Sequence, residues 1–127
     1  MTHAPGTGWT TARITHIAAR SEWDAAEIHG SYIPPSLATE GFIHCSTSWQ
    51  VGRTADAHFA GRDDLVLLVI DPREITSTIV FENCDGGIEP FPHVYGELPV
   101  AAVERIHELE WDQDTASFQL DPESMED

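Results

Sequence analysis

An α+β domain, with a mixed or antiparallel sheet and two main helices, is what this 127-residue sequence predicts. Three observations carry that expectation. Leu65 to Ile70 is an unbroken run of apolar, strand-favouring residues, as in a strand covered on both faces and hence central. Shorter strand-like pieces surround it at 14–18, 42–45, 75–82 and 105–111. Two helix-start signals, Ser21-Glu22-Trp23-Asp24 and Thr47-Ser48-Trp49-Gln50, are interleaved with them.

Taken in order, residues 1–12 are rich in Thr, Gly and Pro and form a flexible N-terminus ahead of a globular domain over 13–111. The first strand alternates, with Ile14, His16 and Ala18 on one face and Thr15 and Ile17 on the other. The helix opened at Ser21 ends near Gly30, and Pro34-Pro35 breaks the chain. Ser36 caps a short turn of helix through Glu40, and Gly41 supplies its exit. A second strand covers 42–45. Thr47 and Gln50 have capping-box spacing and open a helix to about Phe59, with Val51, Ala55 and Phe59 on its apolar side. Asp71-Pro72 stops the central strand. A strand over 75–82 leads into the Asn83–Gly87 loop, and His93 to Tyr95 is a short extended piece. One helical turn over 99–103 and an edge strand over 105–111 follow. Residues 112–127 form an acidic tail, in which Phe118 and Leu120 are the side chains suited to docking on the body.

Charge narrows the partners. The chain has 22 acidic residues against six arginines and no lysine, a net charge of −16. That field opposes nucleic acid and anionic membranes, so a small-molecule ligand is the expected partner. An anionic ligand would have to be held locally, by arginines, backbone amides and helix N-termini. The longest apolar run has six residues, far short of the ~20 needed to cross a bilayer. The first residues lack the basic start and apolar block of a signal peptide, so a cytoplasmic location is expected. Cys45 and Cys84 accordingly read as two buried free thiols. Oligomeric state is left open.

Two runs concentrate the chemistry. In Glu40-Gly41-Phe42-Ile43-His44-Cys45-Ser46 a histidine lies within a strand-like segment, between a turn glycine and a capping serine. In Phe91-Pro92-His93-Val94-Tyr95-Gly96 a second histidine is flanked by aromatics and closed by glycine. Side chains on such rigid elements are well placed for catalysis. His44, His93 and Glu82, which ends a strand at a loop mouth, are the catalytic candidates. His16 reads equally as a ligand-binding residue or a core histidine. Ser46 and Thr47 are caps that also suit an anion, and Gln50 completes the capping box. Tyr95, with Phe91 and Trp49, offers a stacking wall or a piece of core. No H-x-H or H-x-x-x-H pair is present, and no metal ligand is assigned.

The pattern His16-Ile17, Trp23, Ser36-Leu37, Glu40 to Ser46, Gln50-Val51, Asp71, Glu82 and Phe91 to Gly96 resembles the bacterial family known as domain of unknown function 952, over roughly residues 13 to 110. That family looks related in fold to the ADP-ribosyltransferases, and is similar to their RNA 2′-phosphotransferase branch. The resemblance implies an ADP-ribosyltransferase-like fold and NAD as cofactor. It implies that His16 bonds the nicotinamide-side ribose or amide, and that His44 takes the place of a stacking tyrosine. Glu82 becomes the counterpart of the acidic third member. The phosphate-binding arginines of that branch have Arg20 and Arg53 as their nearest candidates here, so an RNA substrate is not expected.

The function expected is an NAD- or nucleotide-utilising enzyme acting on a small molecule, by ADP-ribosyl transfer or cleavage of the N-glycosidic bond. The alternatives are a non-catalytic small-molecule-binding or accessory domain, and a metal-dependent hydrolase.

Overall fold

In a computed structural model, which describes residues 12–83 and 89–120, the chain builds two main antiparallel sheets and two two-stranded ones, together with three α-helices. The expectations for residues 1–11 and for Cys84 lie outside the described residues.

Strand β1 (Ile14–Ala19) runs directly into helix α1 (Arg20–His29), which ends where Gly30 turns left-handed, at φ 99°. Strand β2 (Ser31–Tyr32) and helix α2 (Pro35–Glu40) follow. Pro35 takes the first position of α2 and no side chain caps the helix, so Ser36 lies inside it and is not the expected cap. Gly41, at φ 87°, closes it. The expected strand over 42–45 is two short ones, β3 (Ile43–His44) and β4 (Ser46–Thr47), with the break at Cys45. Helix α3 (Val51–His58) comes next, then the wholly buried β5 (Leu65–Ile70). The expected strand over 75–82 is shorter, β6 (Ile79–Glu82), because Asp71-Pro72 start a 3-10 turn over Pro72–Glu74. The Asp71 carboxylate accepts the Arg73 amide there at 3.0 Å. Strands β7 (Phe91–Val94), β8 (Leu98–Pro99) and β9 (Val103–Glu108) complete the body.

The larger sheet has the order β4-β1-β5-β9, the smaller one β3-β7-β6, and β2 pairs with β8. Every strand pair among the described residues is antiparallel. Period-2 alternation in β5 divides the interior into two cores. Val66, Leu68 and Ile70 pack with Trp23, Tyr32 and Ile43 on the side of α1 and the smaller sheet. Leu65, Leu67 and Val69 pack with Val51 and Ala55 of α3 on the other side.

The second core is closed by the start of the expected acidic tail. Strands β10 (Trp111–Asp112) and β11 (Ser117–Phe118) form a hairpin, and Phe118 is buried against this core. The Phe118 amide donates to Asp56 of α3 at 2.9 Å. Among the described residues no helix is long and apolar enough to cross a membrane.

Candidate functional site

The smaller sheet assembles the site by register. His44 of β3 lies opposite His93 of β7, while Val80 and Glu82 of β6 lie opposite His93 and Phe91. Directly opposed and alternate residues share a face, so His44, His93, Phe91 and Glu82 project together. Ile43, Val94 and Ile79 project to the other face, into the first core.

On the shared face the polar side chains form a chain of hydrogen bonds. His44 Nδ1 is 3.2 Å from His93 Nε2, and His93 Nδ1 donates to Glu82 Oε2 at 2.9 Å. The Tyr95 hydroxyl donates to the same Glu82 oxygen. Phe42 lies flat on the His93 ring, with centroids 4.1 Å apart and planes at 11°, and Phe91 packs against His44. His93 is buried, so its ring is fixed by a stack on one side and hydrogen bonds at both nitrogens.

Donor and acceptor logic sets the protons. The Tyr95 hydroxyl first, then His93, hold the Glu82 carboxyl below the usual range, so it is an anion that accepts only. His93 must therefore donate through Nδ1. With both rings neutral, His93 Nε2 accepts and His44 Nδ1 donates, which puts the lone pair of His44 on Nε2. A proton taken up at His44 can pass to His93, where Glu82 stabilises the imidazolium.

This chain forms one wall of a cleft of ≈ 220 Å³. Glu82, His93 and His44 face across it to Glu40 at the end of α2 and to His58 and Phe59 at the end of α3. Among the described residues two carboxylates and three imidazoles thus line it, and no arginine does. The paired arginines lie elsewhere: Arg20 with Glu108, Arg53 with Glu89, Arg13 with Glu104, Arg62 with Asp64 and Arg73 with Asp71. Arg20 and Arg53, the candidates for phosphate, are therefore each engaged with a carboxylate. Among the described residues no three His, Cys, Asp or Glu side chains group so as to hold a metal ion.

The remaining candidates occupy supporting places. His16 is on the opposite side of His44, where its Nδ1 donates to the His44 carbonyl oxygen at 2.6 Å. A carbonyl only accepts, so the neutral ring has its lone pair on Nε2, which takes the Tyr32 hydroxyl proton at 2.8 Å. Burial lowers the His16 pKa to about 4, and burial likewise raises that of Tyr32. His16 thereby props the backbone of His44 and keeps both its nitrogens engaged within the protein. Gln50 and Thr47 form a reciprocal capping box: Gln50 Oε1 accepts the Thr47 amide at 3.0 Å and Thr47 Oγ1 accepts the Gln50 amide at 3.3 Å. The Gln50 amide nitrogen donates to Glu89 and to the Pro90 carbonyl, which anchors the start of β7. Ser46 is buried, with its hydroxyl 3.4 Å from that of Thr54. Tyr95 is outside the cleft lining and Trp49 is exposed, so of the three aromatics read as a stacking wall or a piece of core only Phe91 lines the cleft. Cys45 is a buried free thiol whose pKa burial pushes up to about 12.

Sequence reasoning passed over Phe42, Phe59 and His58. Phe42 has a local signal, since it lies two residues before His44 and shares its face. His58 reads as exposed on its helix; only the meeting of α3 with β3 puts it at a cleft.

No curated protein matches the chain. Crystal structures of protein CC0527 from Caulobacter crescentus, and of a double mutant of it, are similar at 35% identity and a TM-score of 0.74, over 84% of this chain and 93% of theirs. The solution structure of CC0527 is similar at 32% identity and a TM-score of 0.67, over 87% of this chain and 93% of that one. The family model described as protein of unknown function (DUF952) matches residues 17–106, a span that contains every residue of the hydrogen-bonded chain. The sequence therefore belongs to the DUF952 family.

Proposed function

We propose that this protein is an enzyme performing general acid–base chemistry on a small molecule bound in the cleft before His44. His44 exchanges the proton with substrate, His93 relays it, and Glu82 stabilises the charge that results. The single observation supporting this is the hydrogen-bonded chain from Glu82 through His93 to His44 along the cleft wall. A buried, stacked histidine tied to a carboxylate costs folding energy that an apolar residue would not, and enzyme sites are where such arrangements concentrate.

The reaction proposed is cleavage or transfer at the N-glycosidic bond of NAD or a related nucleotide, as the resemblance to ADP-ribosyltransferases implies. The bond from the sugar to the pyridinium nitrogen breaks and nicotinamide leaves as the neutral base. Water or an acceptor hydroxyl bonds the sugar and gives up its proton to His44. The cleft suits one end of such a molecule. Glu40 and Glu82 favour the cationic pyridinium ring and the positive charge that develops on the sugar as the bond breaks. No arginine lines the cleft to neutralise a diphosphate, which would stay outside. Nicotinamide riboside is therefore expected to be the better substrate of the two.

Release of nicotinamide from NAD and from nicotinamide riboside, followed by chromatography, tests this. Glu82→Gln and His44→Ala should each lower kcat by about 10²- to 10⁴-fold, the usual contribution of acid–base catalysis. A rate unaffected by both substitutions would sink the relay. A rise in melting temperature with ligand but no turnover would favour a binding domain instead.

A further inference from the structure

Behind His44 the cleft has a neighbour, a separate cavity of ≈ 180 Å³ on the side of β1. His44, Thr54 and Phe59 line both spaces, so the two adjoin at these side chains. The other walls are Thr15, His16 and Ile17 of β1, Ser36 of α2 and Ser46 of β4.

The two spaces differ in chemistry. Among the described residues, the cleft has two carboxylates, and the second cavity has no acid, lysine or arginine in its lining. Its polar groups are largely engaged with one another. Thr15 Oγ1 donates to the Ser46 carbonyl at 2.9 Å, the Ser46 hydroxyl reaches Thr54, and His16 has both nitrogens bonded. An occupant would gain contact area from Ile17, Phe59 and the imidazole faces, with little demand for charge or hydrogen bonding. The volume is of the order of the ~150 Å³ known to accept a benzene ring.

We propose that this second cavity is a subsite for an uncharged, flat group about one six-membered ring in size. This rests on the acid–base reading above but is independent of nicotinamide riboside, whose one aromatic ring is cationic and belongs with the carboxylates. A substrate carrying an uncharged ring bridges the two spaces, with the ring on the His16 side and its polar remainder on the Glu82 side. The bond to be broken then lies beside His44, which is the residue common to both.

The test uses the full chain labelled at isoleucine δ-methyl groups and titrated with benzene, phenol and benzoate. Benzene and phenol should shift the Ile17 methyl resonance saturably, and benzoate should leave it in place. Ser36→Leu, which fills the cavity from α2 and touches no member of the relay, should weaken phenol binding about tenfold or more. Ser36→Ala should preserve it, with the spectrum of each variant reporting that it is folded. An unmoved Ile17 methyl at benzene saturation in the unmodified protein would overturn the proposal, as would equal phenol affinity in Ser36→Leu. Glu82→Gln separates the two readings. Phenol binding that survives this substitution while turnover is lost supports both; turnover unchanged in Glu82→Gln sinks the relay and leaves the subsite standing on the titration.

Discussion

His16 is held neutral by its surroundings, and the consequence for stability has a definite sign. Its pKa is about 4 in the folded protein against an ordinary 6.5, because burial disfavours the charged ring. Above pH 6.5 neither the folded nor the unfolded chain binds the proton. As pH falls from 6.5 towards 4, the unfolded chain binds it and the folded one does not, so stability is lost across that window. The full shift corresponds to about 3 kcal/mol. Urea unfolding at pH 7 and pH 5 should show the loss, and His16→Gln should flatten it. Glu82, whose carboxyl is held below its ordinary value, acts in the same direction but at lower pH, and the comparison with His16→Gln separates His16 from the other histidines. A slope unchanged in His16→Gln would show that the ring is not excluded from protonation. The sequence offered both a ligand-binding and a core reading of His16 without choosing between them, since its partners Tyr32 and the His44 carbonyl are set by strand pairing. For His44 and His93 the local pattern was enough: Phe42 and His44, and Phe91, His93 and Tyr95, alternate with the core residues Ile43, Cys45 and Val94.

Strands β6 and β7 show how little room the site leaves its backbone. After β7 the chain turns at Gly96, where an added Cβ would lie 2.8 Å from the Ser77 Cβ and closer still to its hydroxyl. That approach lets the Tyr95 amide donate to the Thr78 carbonyl at 2.9 Å, and so sets the Tyr95 hydroxyl on Glu82. Gly96→Ala should therefore cost about 1–3 kcal/mol, through a forced shift of the 77–78 backbone. It should also loosen the tyrosine from the carboxylate. Chemical denaturation checks the first effect, and a change in Tyr95 fluorescence or ring resonances the second; a variant equal to the parent in both would show that Ser77 yields freely. The capping box at Thr47 and Gln50 was legible because both partners lie within four residues. The second anchor of Gln50, the Pro90 carbonyl, is 40 residues away and left no trace in the sequence. The strand expected from residue 75 was misread for a related reason. The β-favouring residues 75–78 follow a 3-10 turn and meet the strand ladder only at Ile79.

The larger sheet separates two cores, and they are closed by different means. The first is covered by α1 and the smaller sheet; the second depends on α3 and on the hairpin of β10 and β11. An acidic composition made residues 112–120 look like tail, but the docking expected of Phe118 and Leu120 is found: both pack on the second core, and Trp111 and Phe118 meet edge to face with centroids 5.0 Å apart. Phe118→Ala should accordingly destabilise the whole domain by about 3–5 kcal/mol, as for other buried aromatics. Calorimetry would check it, and a change within error would mean that the hairpin only rests on the body. The crossing at Cys45 matters most for how the protein comes together. Residues 43–47 belong first to the smaller sheet and then to the larger, with the Cys45 amide bonded to Pro92 and Ser46 paired to Thr15. His44 is thus positioned from β1, 28 residues before it, and from β7, 49 residues after it. Contacts so distant along the chain are slow to form. A chain that has regained its helices, its collapsed interior and every one of its side chains would still be chemically blank until both sheets had closed on that one segment. The proposed activity, in such a molecule, would be a late signal of having finished folding.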